Sequence, residues 1–186
     1  IKHSSFLNNH CEDGLNLIRC KFTMDNTTVN GSYSDGFDAD FCQGVVRNSF
    51  FRNAGNDCLD FSGSIITVEN CLISNAKDKG ISCGENSQMD IINCKLKNVN
   101  VGIVAKDLSK IIVDKTTISN AKYNFAVYQK KAEYGPAHIK VSGPAQSDVR
   151  KKSLLGKESI LEFNGESIIG ENSLDVDSIL LVIQNQ

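Results

Sequence analysis

The chain repeats a pattern with a period of about 22 residues. The segment VENCLISNAKDKGISCGENS is preceded by VRNSFFRNAGNDCLDFSGS and followed by IINCKLKNVNVGIVAKDLS and VDKTTISNAKYNFAVYQKK. Internal repetition at such a period is typical of solenoids, in which each unit packs only on its neighbours. We therefore expect equivalent residues of successive units to stack in columns along the molecule.

One small residue marks the same position in each unit. These anchors are Ser4, Cys20, Ser49, Cys71, Cys94 and Thr116, at spacings of 16, 29, 22, 23 and 22 residues. A large apolar residue follows two positions later (Phe6, Phe22, Phe51, Ile73, Leu96, Ile118), and an asparagine follows most anchors by four (Asn8, Asn53, Asn75, Asn98, Asn120). The long second step predicts a polar insertion at 25–34, which has the composition of a surface loop.

Each unit contains three short segments in which apolar and polar residues alternate. Alternation with a period of two predicts strands that are buried on one side. Three strands in about 22 residues predict an all-β fold, a parallel β-helix built as a single-stranded solenoid of about six rungs, stacked about 4.8 Å apart. We assign residues 1–144 to this β-helix and 145–186 to an irregular final rung and C-terminal cap, with a hairpin at Asn164-Gly165.

Composition narrows the possible partners. The chain carries 20 basic and 22 acidic residues, a net charge of -2, so we expect no nucleic-acid partner. No apolar run is long enough for membrane insertion. The seven cysteines form no Cys-x-x-Cys pair and are expected to be free thiols, which favours a reducing setting. The chain opens inside a repeat, so we expect it to belong to a longer parent chain.

Side chains between the inward positions of the second strand are expected on the outer surface. They form three columns: Asn16, Asp38, Asp60, Ser82, Val104 and Ala126; Asp13, Asp35, Asp57, Lys79, Val101 and Tyr123; and Asp40, Ser62, Gly84 and Lys106. Carboxylates about 5 Å apart raise one another's pKa unless a cation lies among them. Because calcium takes six to eight oxygen ligands, the columns predict a Ca²⁺ site formed by Asp35, Asp38, Asp57 and Asp60. The alternative is a solvated acidic ridge whose aspartates serve the turns.

Lys79 continues the second column directly after Asp57. A lysine beside a metal could act as a catalytic base, and its alternative role is an ion pair with that aspartate. We predict that a ligand or substrate would contact the neighbouring outward positions, which are Asp38, Asp60, Ser82 and Lys106.

The repeat resembles the right-handed parallel β-helix of the pectate-lyase-like superfamily over residues 1–137. Within it, GNDCLDFSG resembles the Asp-Asp-Gly-x-Asp-Leu signature of family-nine polysaccharide lyases. That resemblance implies calcium ligands at Asp57 and Asp60 and a catalytic lysine in the following rung. Here Asn56 and Cys58 replace the signature's Asp and Gly, and Ser82 stands at the position of the lysine base.

Other β-helix families match less well. The Gly-His-Gly motif of polygalacturonases does not occur, nor does the Asp-Pro-His-Glu motif of mannuronan epimerases. The repeat is also similar to β-helix modules attached to bacterial spore-coat-type kinase-like proteins, in which segments like AVYQKKAEYGPA close the helix. These modules have no agreed activity.

Three functions remain open. The first is a non-catalytic β-helix module that binds or displays against extracellular or cell-envelope polysaccharide of a bacterium, with a possible Ca²⁺ site. The second is a calcium-dependent polyuronate lyase of the pectate type, which needs a base and a metal. The third is a structural spacer that contacts other domains of a longer parent chain.

Overall fold

The computed structural model describes residues 1–143 and 152–174, and every regular element in these ranges is a β-strand. The strands are β1 (Ser5–Leu7), β2 (Asp13–Ile18), β3 (Lys21–Asp25), β4 (Thr28–Asn30), β5 (Asp35–Asp40), β6 (Gln43–Arg47), β7 (Phe50–Ala54), β8 (Leu59–Ser62), β9 (Ile65–Glu69), β10 (Leu72–Gly84), β11 (Gln88–Ile92), β12 (Lys95–Lys106), β13 (Lys110–Asp114), β14 (Thr117–Tyr128), β15 (His138–Ser142), β16 (Ser153–Leu155), β17 (Ile160–Phe163) and β18 (Glu166–Ile169). The all-β prediction is confirmed.

The strands form two sheets that run along the solenoid. One sheet has the order β1-β4-β7-β10-β12-β14-β16, and β2, β5 and β8 join it through β10. The other has the order β18-β17-β15-β13-β11-β9-β6-β3. Apart from the terminal pair β17 and β18, neighbouring strands come from successive rungs and are parallel, as in the pairing of Phe37 with Leu59 and of Leu59 with Ile81. The predicted parallel β-solenoid is confirmed, with about seven turns instead of six.

The core lies between the two sheets and is built from the inward rows. Phe37, Leu59 and Ile81 are fully buried in one row. The ring of Phe37 also lies 5.5 Å, edge to face, from the ring of Phe61 and 6.5 Å, stacked, from that of Phe51. Aromatic pairs at these separations stabilise a core beyond their buried area.

Asparagines turn the chain at one corner of each rung. Asn53, Asn75, Asn98 and Asn120 have φ angles of 51° to 59°, a left-handed conformation that asparagine tolerates better than most residues. Each amide donates to the side-chain oxygen of the amide one rung earlier, at 2.7–3.0 Å, in a ladder that starts at Asn30. The side-chain amides at this corner are therefore hydrogen-bonded to one another from Asn30 to Asn120.

The structure contains two columns of small residues, which the sequence analysis merged into one. The first holds Ser4, Thr27, Ser49, Cys71, Cys94 and Thr116, and the second holds Cys20, Cys42, Ser64, Ser87 and Ser109. A side-chain oxygen often accepts from the backbone N–H one rung earlier, as Ser49 Oγ does from Thr27 at 3.1 Å. The placement of Cys20 and Phe22 with the first column was therefore wrong.

The predicted surface loop at 25–34 was also wrong. Strand β4 occupies the middle of this segment and pairs in parallel with β1 on one side and β7 on the other. Val29 of this strand is buried in the core. Once Thr27 takes its place as an anchor, the uneven first steps become steps of 23 and 22 residues.

The described C-terminal residues add to the stack. Strand β16 pairs in parallel with β14, and β17 pairs with β15. The predicted hairpin at Asn164-Gly165 is confirmed, because β18 returns antiparallel to β17. Residue 144 of the predicted β-helix and residues 145–151 and 175–186 of the predicted cap lie outside the described ranges. Within those ranges no helix has the length and apolar character needed to cross a bilayer.

Candidate functional site

The predicted outward columns have the expected register. Asn16 pairs with Asp38, Asp38 with Asp60, and Asp60 with Ser82, so one row of side chains runs across four rungs. In the adjacent column Asp13 pairs with Asp35. Asp35, Asp38, Asp40, Asp57 and Asp60 together are called the acidic face below.

The later rungs of the same row are covered, contrary to the expectation that they lie on the surface. Ser82, Val104 and Ala126 are all buried. Val101, Val104, Ala126 and Tyr128 form a second apolar cluster, against which Tyr123, Leu154 and Leu174 pack. The outer side of the sheet therefore changes along the stack from half-exposed carboxylates to a dry apolar patch.

Lys79 lies where the acidic face meets this patch, and it is only 7% exposed. Its ammonium donates to Asp57 Oδ1 at 3.2 Å and Oδ2 at 3.3 Å, and to Asp78 Oδ2 at 2.5 Å. Burial lowers the pKa of Lys79, but the charges of Asp57 and Asp78 raise it by more, so the net pKa lies above its usual range. Lys79 is thus held as a cation, which argues against the predicted role as a base.

Asp35 and Asp57 use one carboxylate oxygen each to bind the backbone of the next rung. Asp35 Oδ1 accepts from the backbone N–H of Asp57 at 2.8 Å and from Asn56 Nδ2 at 2.8 Å. Asp57 Oδ1 accepts from the backbone N–H of Lys79 at 3.0 Å. Two of the four predicted calcium ligands therefore take part in the turn chemistry that was the alternative to a metal site.

The carboxylate of Asp38 has one hydrogen-bond donor and lies close to other aspartates. Its Oδ2 accepts from Asn16 Nδ2 at 3.1 Å, and its register neighbour is Asp60. Burial, together with the charges of Asp40 and Asp60, raises the pKa of Asp38 to about 7. Burial also raises the pKa of Asp40. The carboxyl of Asp38 therefore keeps its proton to a higher pH than an aspartate in water.

Lys106 is the second cation beside the acidic face. Its Nζ lies 3.8 Å from Asp60 Oδ1, an ion pair that is longer than a hydrogen bond. Burial lowers the pKa of Lys106, but the surrounding negative charges, that of Asp60 first among them, together raise it by more, so the net pKa lies above its usual range. Of the four predicted ligand-binding residues, Asp38, Asp60 and Lys106 keep some exposure, whereas Ser82 has none.

Two buried polar atoms near Lys79 have no hydrogen-bond partner among the described residues, Ser82 Oγ and Asp78 Oδ1. Sequence reasoning missed Asp78, although its position beside the column lysine in the motif KDKG was a usable signal. Within the described ranges no three His, Cys, Asp or Glu side chains are arranged to hold a metal ion. Calcium binding at Asp35, Asp38, Asp57 and Asp60 therefore stays a prediction.

A groove adjoins the acidic face on the side of the asparagine ladder. It has a volume of about 680 Å³ and is lined by Asn8, Asn9, His10, Gly31, Ser32, Tyr33, Asn53, Ala54, Gly55, Asn75 and Lys77. Tyr33 is 73% exposed on its wall. A side chain at Gly55 would place its Cβ 1.8 Å from the Tyr33 carbonyl oxygen, so glycine is required for this close approach. We call this cavity the Tyr33 groove.

The sequence analysis missed the Tyr33 groove because it assigned residues 25–34 to a loop outside the stack. In the structure the backbone N–H of Tyr33 donates to the Asn9 carbonyl at 3.0 Å. This bond places Tyr33 in register with the first rung. Asn56, the residue after Gly55 of the groove lining, donates its side-chain amide to Asp35 of the acidic face.

The chain matches the family model described as "Right handed beta helix region" over residues 1–143. It belongs to this family, and the expected right-handed β-helix is confirmed. No curated protein and no solved structure matches the chain. The resemblance to spore-coat-associated modules stays a prediction.

Proposed function

We propose that the chain is a non-catalytic β-helix module that binds polysaccharide in the Tyr33 groove, outside the cytoplasm at the bacterial cell envelope. The observation that carries this proposal is the combination of an exposed tyrosine and unburied amides in one groove. Aromatic rings offer an apolar face to the C–H side of a sugar and a hydroxyl at the edge. Asparagine amides donate to and accept from sugar hydroxyls.

The shape of the groove supports a chain-like ligand. Its lining residues come from four successive rungs, linked through the contacts Asn8–Asn30, Asn30–Asn53 and Asn53–Asn75. Three rung steps of about 4.8 Å give a length of roughly 14 Å. A groove of that length holds several consecutive sugar units, whereas a single small molecule would leave most of it empty.

The charged groups beside the groove indicate which class of polysaccharide we expect it to bind. The acidic face adjoins the groove, and its two nearby cations, Lys79 and Lys106, are already paired with carboxylates, so the lysine available in the groove lining is Lys77. Clustered charges of one sign repel ligands of the same sign. The module therefore favours neutral or amino-sugar polymers over polyuronates in the absence of a bridging cation.

The lyase alternative lacks a free base. Proton abstraction next to a carboxylate needs an unprotonated amine or a similar group within reach of substrate. Lys79 is bound to two carboxylates, and Ser82 stands at the position where the lyase signature has its lysine. These contacts support the non-catalytic proposal over the polyuronate lyase.

Isothermal titration against neutral, amino-sugar and uronate oligosaccharides tests the proposal. We expect binding of a neutral or amino-sugar oligomer, a loss of at least tenfold in affinity for Tyr33→Ala, and little change for Phe41→Ala. Phe41 is a matched control because it is an exposed aromatic residue outside the groove lining. Absence of binding to every oligomer would overturn the proposal and leave the spacer role.

A second measurement separates binding from catalysis. Incubation with polygalacturonate and alginate, with and without Ca²⁺, is followed by ultraviolet absorbance of the unsaturated uronate product. We expect no product under either condition. A calcium-dependent rise in absorbance that Lys79→Met abolishes would contradict the non-catalytic assignment.

A further inference from the structure

Two cysteines of the second small-residue column face each other across one rung step. The Sγ atoms of Cys20 and Cys42 lie 3.6 Å apart, and the backbone N–H of Cys20 donates to Cys42 Sγ at 3.4 Å. The strands on both sides of the pair are in register, with Ile18 opposite Asp40 and Lys21 opposite Gln43. The two thiols are therefore held opposite each other by backbone pairing on both flanks.

This arrangement is compatible with a disulfide. In-register neighbours on adjacent parallel strands have Cα atoms about 4.8 Å apart, and disulfides bridge Cα separations of about 4.4–6.8 Å. The sulfurs must approach by roughly 1.5 Å to reach the covalent distance of about 2.05 Å. Side-chain rotation at the half-exposed Cys20 can supply that movement without shifting the strands.

The two thiols differ in access to solvent. Cys20 is partly exposed in the first rung, whereas Cys42 is 4% exposed and donates to the carbonyl oxygens of Leu17 and Asp40. Burial raises the pKa of Cys42. Since thiolates are the reactive form and need access to reagent, Cys20 meets an oxidant first and Cys42 reacts second.

We propose that Cys20 and Cys42 form a dithiol oxidation site that closes to an intramolecular disulfide in the presence of a low-molecular-weight disulfide. The Cys20 thiolate attacks one sulfur of the reagent, which forms a mixed disulfide and releases one reagent thiolate. Cys42 then loses its proton to that thiolate and attacks Cys20 Sγ, which releases the second reagent thiolate; this takes up from solvent the proton that Cys20 had lost. The protein loses two electrons and two hydrogens, and the reagent disulfide is reduced to two thiols.

The other cysteines provide an internal comparison. Cys71 and Cys94 occupy consecutive rungs of the first column, but both are buried. Cys11 is exposed and is not in either column. Reaction with a water-soluble disulfide should therefore select the Cys20–Cys42 pair for cross-linking, while Cys11 takes up reagent without forming the link.

The disulfide bears on the cellular compartment in which the protein functions. The free cysteines favour a reducing setting, whereas a polysaccharide ligand favours an oxidising one. A dithiol that is reduced inside the cell and is oxidised to the disulfide outside the cell is consistent with both observations. The disulfide joins residues 22 positions apart and ties the first rungs together.

Oxidation of the folded full chain with oxidised glutathione, in a Cys11→Ser background, tests the site. We expect intact mass to fall by two hydrogens, peptide mapping to link Cys20 with Cys42, and Tm to rise by roughly 5–10 °C, reversed by dithiothreitol. Additional Cys42→Ser should leave glutathione attached at Cys20. Serine fits this column, since Ser64 holds the next position.

The control is Cys94→Ser in the same background, which should keep the full Cys20–Cys42 link. Glutathione that stays on Cys20 while Cys42 is intact would overturn the proposal, because it would show that the second thiol does not attack. A link that contains Cys71 or Cys94, or no reaction at Cys20, would overturn it as well. None of these outcomes depends on polysaccharide binding.

Discussion

The ammonium group of Lys79 lies 3.2 Å from Oδ1 and 3.3 Å from Oδ2 of Asp57, its neighbour one rung earlier. Both side chains are almost fully buried. Burial raises the pKa of the Asp57 carboxyl, and the charge of Lys79 opposes that rise. The column thus changes from aspartate to lysine at the point where the outer side of the sheet becomes dry.

Replacement of Lys79 by methionine should destabilise the fold by about 3–5 kcal/mol, because it leaves Asp57 and Asp78 buried without a cation. Urea unfolding measures this loss. Lys97→Met is the matched control, since Lys97 is an exposed lysine and its replacement should change stability by less than about 0.5 kcal/mol. Equal effects of the two substitutions would mean that the ion pair contributes nothing.

The free energy of unfolding should fall as the pH rises from about 4 to about 7, because of Asp38 in the acidic face. The pKa of Asp38 is raised from 3.8 to about 7 by burial and neighbouring aspartates, so the folded state holds a proton that the unfolded chain releases. This contribution is complete below pH 4 and disappears as pH rises to about 7. Urea unfolding between pH 4 and 8 should show the decline in the native chain and a smaller one in Asp38→Asn. Parallel profiles would contradict the assignment.

Calcium binding stays a prediction, and the structure reduces the predicted ligand set. Asp38, Asp40 and Asp60 are the carboxylates of the acidic face that are not engaged in backbone caps. We expect millimolar Ca²⁺ to raise Tm more at pH 7.5 than at pH 5, because protons compete for Asp38 at the lower pH.

The calcium prediction has a matched control. The double variant Asp38→Asn/Asp60→Asn should lose the shift in Tm, whereas Asp90→Asn should keep it, because Asp90 is exposed on the other sheet. A shift that survives in the double variant would place the ion elsewhere. Absence of any shift in the native chain would remove calcium from the acidic face.

The asparagine ladder allows backbone strain to be separated from hydrogen bonding. Asn75 donates to Asn53 and accepts from Asn98, at a φ of 59°. Both Asn75→Ala and Asn75→Gly remove two hydrogen bonds, but alanine also pays about 1 kcal/mol for a left-handed backbone. We expect Asn75→Ala to be more destabilising than Asn75→Gly in urea unfolding, and the reverse order would contradict the role of the amide corner.

The repeat itself was predictable because Asn53, Asn75, Asn98 and Asn120 recur where the backbone needs a left-handed residue. The phase of the first rungs was not, because both small-residue columns accept Ser, Thr and Cys, so that Cys20 and Thr27 are chemically equivalent candidates for an anchor. The polar neighbours of Thr27 then concealed strand β4, since residues beside a buried anchor can point outward and be hydrophilic.

The acidic columns were predictable from register alone, because pairing in a parallel stack fixes which side chains are neighbours. Their surroundings were not. Ser82, Val104 and Ala126 occupy outward positions, yet other parts of the chain cover them. Such contacts join residues that are not equivalent in the repeat, so the repeat pattern does not predict them. The Tyr33 groove was missed for a different reason: Tyr33 and Gly55 are one repeat step apart, but residues 25–34 were assigned to a loop outside the stack.

The constant step of 22 or 23 residues between equivalent hydroxyl and thiol positions has a genetic consequence. Duplication or deletion of one complete turn leaves the remaining turns aligned, whereas a shorter change in length would misalign everything beyond it. A lineage of such proteins can therefore lengthen by whole-unit copying. Each added unit would lengthen the outer surface by one rung of about 4.8 Å without a change in the core residues.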